Sequence, residues 1–276
     1  KPHRRADPGV KKKRRVAGLK RGGYLKVVER NREIAERIKG IKAEHPFWGY
    51  RRVWARLKFA EGFTINKKRV LCVMRSYGLT VKPDERLKAL RTAGRPKPRA
   101  TMPNQWWGID MTKALAGDCG WVYIVVVLDW YTKKIVGYIA DERSTSGDWK
   151  RALDMAVNRQ FPEGARDSGL NLMSDNGCQP TSIAFMKACG GLGINQAFTS
   201  YNNPKGNADT ERLMRTIKEE CLWLREWRSA EELKSAFEAW VEEYNTDYLH
   251  STLGYKTPER FEAEYKTSRA TQLDAA

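Results

Sequence analysis

Cysteine and histidine are scarce in this chain, and neither clusters. The five Cys (Cys72, Cys119, Cys178, Cys189, Cys221) are odd in number and scattered, with no C-x-x-C pair. That argues against a zinc knuckle or a disulfide framework and fits thiols kept reduced in a cytosol. The three His (His3, His45, His250) are also scattered, which disfavours a His-based metal site. The longest apolar run, Val122–Leu128, has seven residues, far short of the roughly 18 needed to cross a bilayer. The basic N-terminus lacks the apolar stretch of a secretory signal. Acidic residues are scarce in one region only. Residues 1–100 hold 8 Asp and Glu against 31 Lys and Arg, whereas residues 101–276 hold 25 against 20.

What is present is enough for packed cores. The chain has 276 residues, 41% of them hydrophobic, with ten Trp; this predicts about two domains and excludes a disordered chain overall. The net charge of +18 sits in the front half and exceeds what solubility requires. A basic front half is expected to grip a polyanion, with nucleic acid the best fit, and the acidic back half to perform chemistry that needs carboxylates.

Residues 1–24 read as a flexible basic arm. Its run Lys11, Lys12, Lys13, Arg14 and Arg15 can neutralise phosphates by counterion release without a fixed fold. The run also resembles a nuclear import signal, a pattern common to DNA-binding arms. The chain opens without Met inside this arm, so a fragment or part of a fusion is expected. Residues 25–81 read as a helical DNA-binding domain of helix-turn-helix type. Its first helix, about Val27–Ala43, presents Ile34, Ile38 and Ile41. A second, about Tyr50–Phe59, turns Tyr50, Val53, Trp54 and Leu57 inward. A third, Lys67–Tyr77, is capped by Asn66 and has Val70, Leu71, Val73, Met74 and Tyr77 as its apolar face. Lys67, Lys68 and Arg69 crowd its first turn against the helix dipole, at a few tenths of a kcal/mol each. Contact with DNA would explain that cost, as at the N-terminus of a recognition helix; solvated lysines on a helical hairpin are the alternative. Residues 82–103 form a basic, Pro-containing linker.

The pattern changes at Asn104. Strands are predicted at Gln105–Ala114, Trp121–Leu128, Lys134–Ala140, Leu170–Ser174 and Ile194–Phe198, and helices at Gly147–Phe161 and Ser182–Ala188. The loop Thr199–Asn207 should be mobile. Asp209 or Thr210 should cap a helix reaching about Trp223, and Ser229 opens another carrying Leu233, Phe237, Trp240, Val241 and Tyr244 inward. The order βββαβαβα predicts an α/β domain with a mixed five-stranded sheet over residues 104–260. The charged tail, residues 261–276, is expected to fray.

Three acids stand out. Asp110 lies inside the first strand, Asp175 ends the fourth, and Glu211 begins the following helix, with 35 residues between Asp175 and Glu211. Brought together, they would repel one another unless a cation were present. Mg²⁺ (or Mn²⁺) takes a few carboxylates plus waters and substrate oxygens, and a pair of such ions suits phosphodiester cleavage and transesterification. On a helical wheel Arg215 and Lys218 fall within about 40° of Glu211, while Leu213, Met214, Ile217, Cys221 and Leu224 occupy the opposite arc and should face the core. Taken singly, each acid also has a structural reading, Glu211 as an i,i+4 partner of Arg215. Asp129, Glu219 and Glu220 lack the spacing and are expected to be structural or solvated.

The segments GWVYIVVVLDWYTKKIVGY, SDNGCQPTS, KGNADTERLMRTIKEE and YNTDYLHSTLGYKTP, in that order, resemble the integrase catalytic core of DDE transposases. The likeness is greatest to the second reading-frame product of insertion-sequence transposases of the IS-three type. Upstream, EHPFWGYRRVWARLKFAEGFTINKKRVLCVMRSYGL resembles the helix-turn-helix segment of that group. The resemblance spans about residues 30–260 and implies an RNase-H-like fold and strand transfer by a 3′-hydroxyl, with no covalent enzyme intermediate. It puts Asp110, Asp175 and Glu211 in the catalytic and metal-ligand positions, Lys218 and Arg215 against terminal DNA, and Gln179 and Asn176 beside the second Asp. It further implies double-stranded DNA as partner, a homo-oligomer on paired element ends, an upstream reading-frame product as companion, and a bacterial cytosol or nucleoid setting. Two departures stand out. Tyr248 replaces the Arg of the family's Tyr-Asn-x-x-Arg-x-His pattern, and the loop YNNPKGN is unusual. The rivals are an RNase-H-like nuclease that does not join DNA and a non-catalytic DNA-binding regulator. The latter would not need all three acids.

Overall fold

Alternation along the second strand sets the architecture. Val122, Ile124, Val126 and Leu128 enter one hydrophobic core and Val125 and Val127 enter another, as expected for a strand buried on both faces. The structure is a computed structural model and describes residues 21–81, 98–199 and 204–274. Strands β1 (Trp106–Ala116), β2 (Gly120–Asp129), β3 (Ile135–Asp141), β4 (Asn171–Ser174) and β5 (Asn195–Phe198) form one sheet in the order β3-β2-β1-β4-β5. The first three make an antiparallel meander, and β4 and β5 add in parallel beside β1. This is the mixed sheet expected of an RNase-H-like core. Helices α4 (Ser146–Gln160) and α5 (Ile183–Gly191) cover one face; α6 (Ala208–Ile217) and α7 (Ala230–Thr246) cover the other. Fully buried side chains such as Trp107, Leu153 and Phe185 each contribute about 1.5–3 kcal/mol by leaving water.

The N-terminal helices α1 (Arg21–Glu44), α2 (Tyr50–Ala55) and α3 (Lys67–Ser76) share a core cluster with the α6–α7 face rather than standing apart. Ile34, Ile38, Ile41, Val53, Trp54, Leu57, Val70, Val73 and Met74 are buried as expected, but Tyr77 is exposed and Leu71 only partly covered. The third helix ends one residue earlier than its apolar pattern, with Tyr77 at the C-cap. Helix α1 begins at Arg21, inside the stretch assigned to the flexible arm. Propagating a helix adds one backbone bond per residue, which offsets the local cost of Gly22 and Gly23. The basic run Lys11–Arg15 and most of the 82–103 linker lie outside the described residues.

Three further expectations give way. The 199–207 loop is not wholly irregular: Pro204–Asn207 forms a 3₁₀ turn and Asn207 is buried. Asn207, rather than Asp209 or Thr210, is the N-cap of α6. The C-terminal tail does not fray at Arg260, since α8 runs Pro258–Asp274. Its start is pinned by Lys134, whose Nζ lies 2.9 Å from Glu262 and 3.3 Å from Glu259, and by Tyr131 packing on Phe261 and Tyr265 at 5.5 Å.

Candidate active site

Sheet parity puts Asp110 and Asp175 on the face that α6, which carries Glu211, covers. On β1, Trp107 and Ile109 point into the α4–α5 core and Ala114 and Ala116 into the α6–α7 core, so Asp110 faces α6. The parallel register pairs Gly108 with Met173; two residues further along each strand come Asp110 and Asp175. Met173 belongs to the α6–α7 core, so Asp175 leaves β4 on that same side. Glu211 sits in the first turn of α6. Asp110 is pushed up to about 6, chiefly by burial, with the charges of Asp175 and Glu211 adding; the Met111 N–H, donating to Oδ1 at 2.8 Å, and Lys218 oppose the rise. Asp175 accepts from the Gly177 N–H at 3.0 Å, and both Asp175 and Glu211 are exposed. Among the described residues no three acidic, His or Cys side chains are drawn together tightly enough to hold a metal ion as they stand. The donor set nevertheless fits a hard divalent cation: all-carboxylate oxygen, open on one side where Asp175 and Glu211 are exposed, with the charges of those two acids adding to the burial that raises Asp110.

Gly108 explains how α6 comes so close. A Cβ there would lie 1.9 Å from Thr210 Oγ1 and 2.5 Å from Trp130 Nε1. In its absence the Trp130 indole donates to Thr210 at 3.1 Å, fixing the residue next to Glu211 against the sheet. Leu213, Met214, Ile217 and Cys221 are buried as the helical wheel requires, but Leu224 is 44% exposed. The helix has ended before it: a π-helical turn at Lys218–Leu222 follows α6, turns Glu220 and Leu222 inward and is C-capped by Trp223, which leaves Leu224 in the bend beyond. A π turn adds a residue to the helical repeat and shifts the phase beyond it.

Glu220 thereby becomes a buried clasp between the two modules. It accepts from Trp48 Nε1 at 3.0 Å and Tyr248 OH at 3.2 Å, and pairs with Arg52. Arg52 also lies over the Tyr248 ring at 4.7 Å. Burial raises the Glu220 carboxyl, while Arg52, Trp48 and Tyr248 hold it down. Asp129 is the other buried acid of interest. It accepts from the backbone N–H groups of Asn104, Tyr131 and Thr132 at 2.6–2.8 Å, a structural role, as its position predicted.

Asp110 and Glu211 open onto a groove of about 1000 Å³ lined also by Arg212, Arg215 and Lys218 from the core and by Phe47 and Arg52 from the N-terminal module. Lys218 is within electrostatic reach of Asp110. Arg215 pairs with Glu219 at 2.6 Å. Asn176 and Gln179 flank Asp175, with side-chain amides donating to the Thr199 and Ser144 carbonyls at 2.5 and 3.2 Å. On α3 the three cations diverge. Lys67 lies 4.3 Å from the Trp54 ring centre, Arg69 donates to Asn31 at 3.2 Å, and Lys68 is exposed. Sequence reasoning missed Phe47, Arg52 and Arg212. The first two belong to the module that was read as separate, and no spacing rule ties them to the acids.

The integrase core domain family matches residues 100–204 and, in a second description, residues 192–258; the HTH-like domain family matches residues 29–86. The chain is similar to a 31 kDa protein of insertion element IS600 from Shigella sonnei, 28% identical over 91% of this chain and 97% of that one. It is similar to the transposase of insertion sequence element IS904 from Lactococcus lactis, 29% identical over 83% of this chain and 93% of that one. The transposase InsF of insertion sequence IS3A from Escherichia coli is 27% identical over 74% of this chain and 73% of its own.

Proposed function

Because this chain belongs to the insertion-element transposases with an integrase core, we propose that Asp110, Asp175 and Glu211 are the catalytic acids of a DNA cleaving and joining enzyme. The observation that supports this reading is that Asp110 and Glu211 line one groove rich in cations, with the charges of Asp175 and Glu211 both reaching Asp110. The three acids would hold Mg²⁺ or Mn²⁺, two ions in all, which when bound supply Lewis acidity at the phosphate and at the departing oxygen.

The protein's own residues do the rest. Lys218 and Arg215 hold phosphates of the DNA end, with Arg212 and Arg52 beside them. The Trp130–Thr210 bond and the close approach at Gly108 fix Glu211 relative to Asp110. Asn176 and Gln179 brace the turn that carries Asp175. In cleavage the attacking oxygen is water; in joining it is the freed 3′-hydroxyl. The new O–P bond forms as the O3′ leaving group departs, and no enzyme nucleophile is needed. Residues 25–81 bind element ends, with Lys68 the best-placed cation on α3, and Lys67 and Arg69 partly committed to the module itself. The arm residues Lys11, Lys12, Lys13, Arg14 and Arg15 add sequence-independent phosphate contacts. A homo-oligomer on paired ends and an upstream reading-frame product complete the assembly. The setting is the bacterial cytosol; no described helix is long and apolar enough to cross a membrane.

The test is to incubate the protein with labelled element-end DNA, a target plasmid and Mg²⁺, beside Asp110→Asn, Asp175→Asn and Glu211→Gln. Joined products in the wild type and in none of the variants are expected. Cleavage without joining would leave a nuclease, binding without chemistry would leave a regulator, and joining that survives Glu211→Gln would sink the triad.

A further inference from the structure

Two large aromatic side chains border the groove without covering anything. Trp223, just past the π turn of the catalytic helix, is 64% exposed, and Phe47, in the loop before α2, is 39% exposed. Both line the same groove as Asp110 and Glu211. Tryptophan is seldom so open to water. The other well-exposed tryptophan, Trp121, lies at the β1–β2 hairpin with the Lys113 ammonium 4.3 Å over its ring. Among the described residues neither Trp223 nor Phe47 has a ring or a cation against its face. Their positions are nevertheless fixed. The Trp223 N–H closes the π turn onto the Lys218 carbonyl at 2.9 Å, and Phe47 sits between Pro46 and the buried Trp48. One ring comes from the core and one from the helical module, and Arg212, Arg215 and Lys218 line the same groove.

Cations that hold phosphates, interleaved with open aromatic faces, are the chemistry of single-stranded nucleic acid binding. A fully paired duplex end offers no base face except at its last pair. We propose that Trp223 and Phe47 form a stacking site for unpaired bases, so that the groove takes a frayed DNA end in preference to a closed one. The proposal rests on reading the groove as the DNA-end site and adds what that reading leaves open, the state of the bases in it. Stacking is tolerant of sequence, so the site selects for opening rather than for particular bases. Because the rings line the same groove as Asp110 and Glu211, bases unpaired at the end would be held beside those acids.

The test uses the whole chain without divalent metal, so that no chemistry is read. Two duplexes of equal length are compared: one with a three-nucleotide mismatched end carrying 2-aminopurine, the other fully paired with both ends closed by linkers that contain no bases. The wild type should bind the frayed duplex more tightly and quench its 2-aminopurine. Trp223→Ala should bind the frayed duplex roughly 5- to 100-fold more weakly, lose most of the quenching, and bind the closed duplex within about twofold of wild type. Trp223→Phe should recover part of both signals, and Phe47→Ala should show a smaller loss of the same kind. Thermal melting of each variant checks folding; Trp223 is exposed, so melting should not move. Wild-type affinity and quenching in Trp223→Ala overturn the proposal, as does an equal loss on both duplexes. Joining activity with unchanged Trp223→Ala binding would fall on this inference alone. Quenching by a protein that never joins DNA would fall on the function alone.

Discussion

Removing the Glu220 carboxylate tests whether the helical module and the catalytic core are one folding unit. Glu220→Ala leaves three donors without their acceptor: the Trp48 indole, the Tyr248 hydroxyl and the Arg52 guanidinium. Breaking a buried ion pair by removing one partner costs about 3–5 kcal/mol. Here Arg52 keeps 29% of its side-chain surface in water, so it can recover some hydration, and the lower end, about 3 kcal/mol, is expected. Glu220→Gln keeps an acceptor of the same shape for Trp48 and Tyr248 and should cost only about 1–2 kcal/mol, the value of charge-assisted over neutral bonding. In Arg52→Ala/Glu220→Ala the two losses should fall short of additivity by about 1–3 kcal/mol. Urea unfolding followed by circular dichroism and by the fluorescence of a probe attached in the helical module reads all of these. The two probes should coincide in the wild type and separate in Glu220→Ala as the module loosens first. A loss under about 1 kcal/mol for Glu220→Ala, or strict additivity with Arg52→Ala, would refute the clasp.

Gly108→Ala should destabilise the chain by about 1–3 kcal/mol through overpacking and abolish joining, because the new methyl must push Thr210 and the start of α6 away from the sheet; joining at the wild-type rate in a folded Gly108→Ala would remove the close-approach argument. His250 supplies a pH dependence. Burial holds its imidazole down to about 3 from an ordinary 6.5, so below pH 6.5 the unfolded chain takes up a proton that the folded chain refuses. Stability from this group is therefore full above about pH 6.5 and lost progressively as pH falls towards 3, by up to about 2 kcal/mol at pH 5. The raised Glu220 carboxyl acts in the opposite direction just above its ordinary range, so the measurement is the difference between wild type and His250→Gln in urea midpoint at pH 7.5 and pH 5; equal losses in both would discount His250.

The strands were legible because their signal is local. Alternation in Trp121–Leu128 and the turn at Asp118–Gly120 fix the hairpin and which residues share a face, while the side on which α6 packs, and so the face of Asp110, came only from the packed cores. The acid at 211 was legible for a different reason: its distance from Asp175 matches a pattern, and the pattern stood in for the packing. What escaped was whatever depends on two segments meeting. An α-helical wheel extended from Glu211 cannot foresee the π turn at 218–222, so it sent Leu224 inward and left Glu220 without a role. The tail misled for a similar reason. Its charge reads as solvated, yet Lys134 and Tyr131, more than a hundred residues upstream, hold its first turns in place.

Tyr248 shows how far this coupling reaches. A carboxylate buried as deeply as Glu220 requires a cation. The core position opposite it, residue 248, is Tyr in this chain, and a phenol can donate one hydrogen bond but no charge. The positive charge comes instead from Arg52, across the interface, stacked on that same tyrosine. The module that reads in sequence as an independent DNA-binding domain thus supplies the counter-charge for a residue just beyond the helix that carries Glu211. Phe47 and Arg52, six residues of one loop and helix, line the groove that holds Asp110 and Glu211. The boundary drawn from charge and composition separates a basic half from an acidic one, whereas the buried contacts at Glu220 join the two into one packed unit.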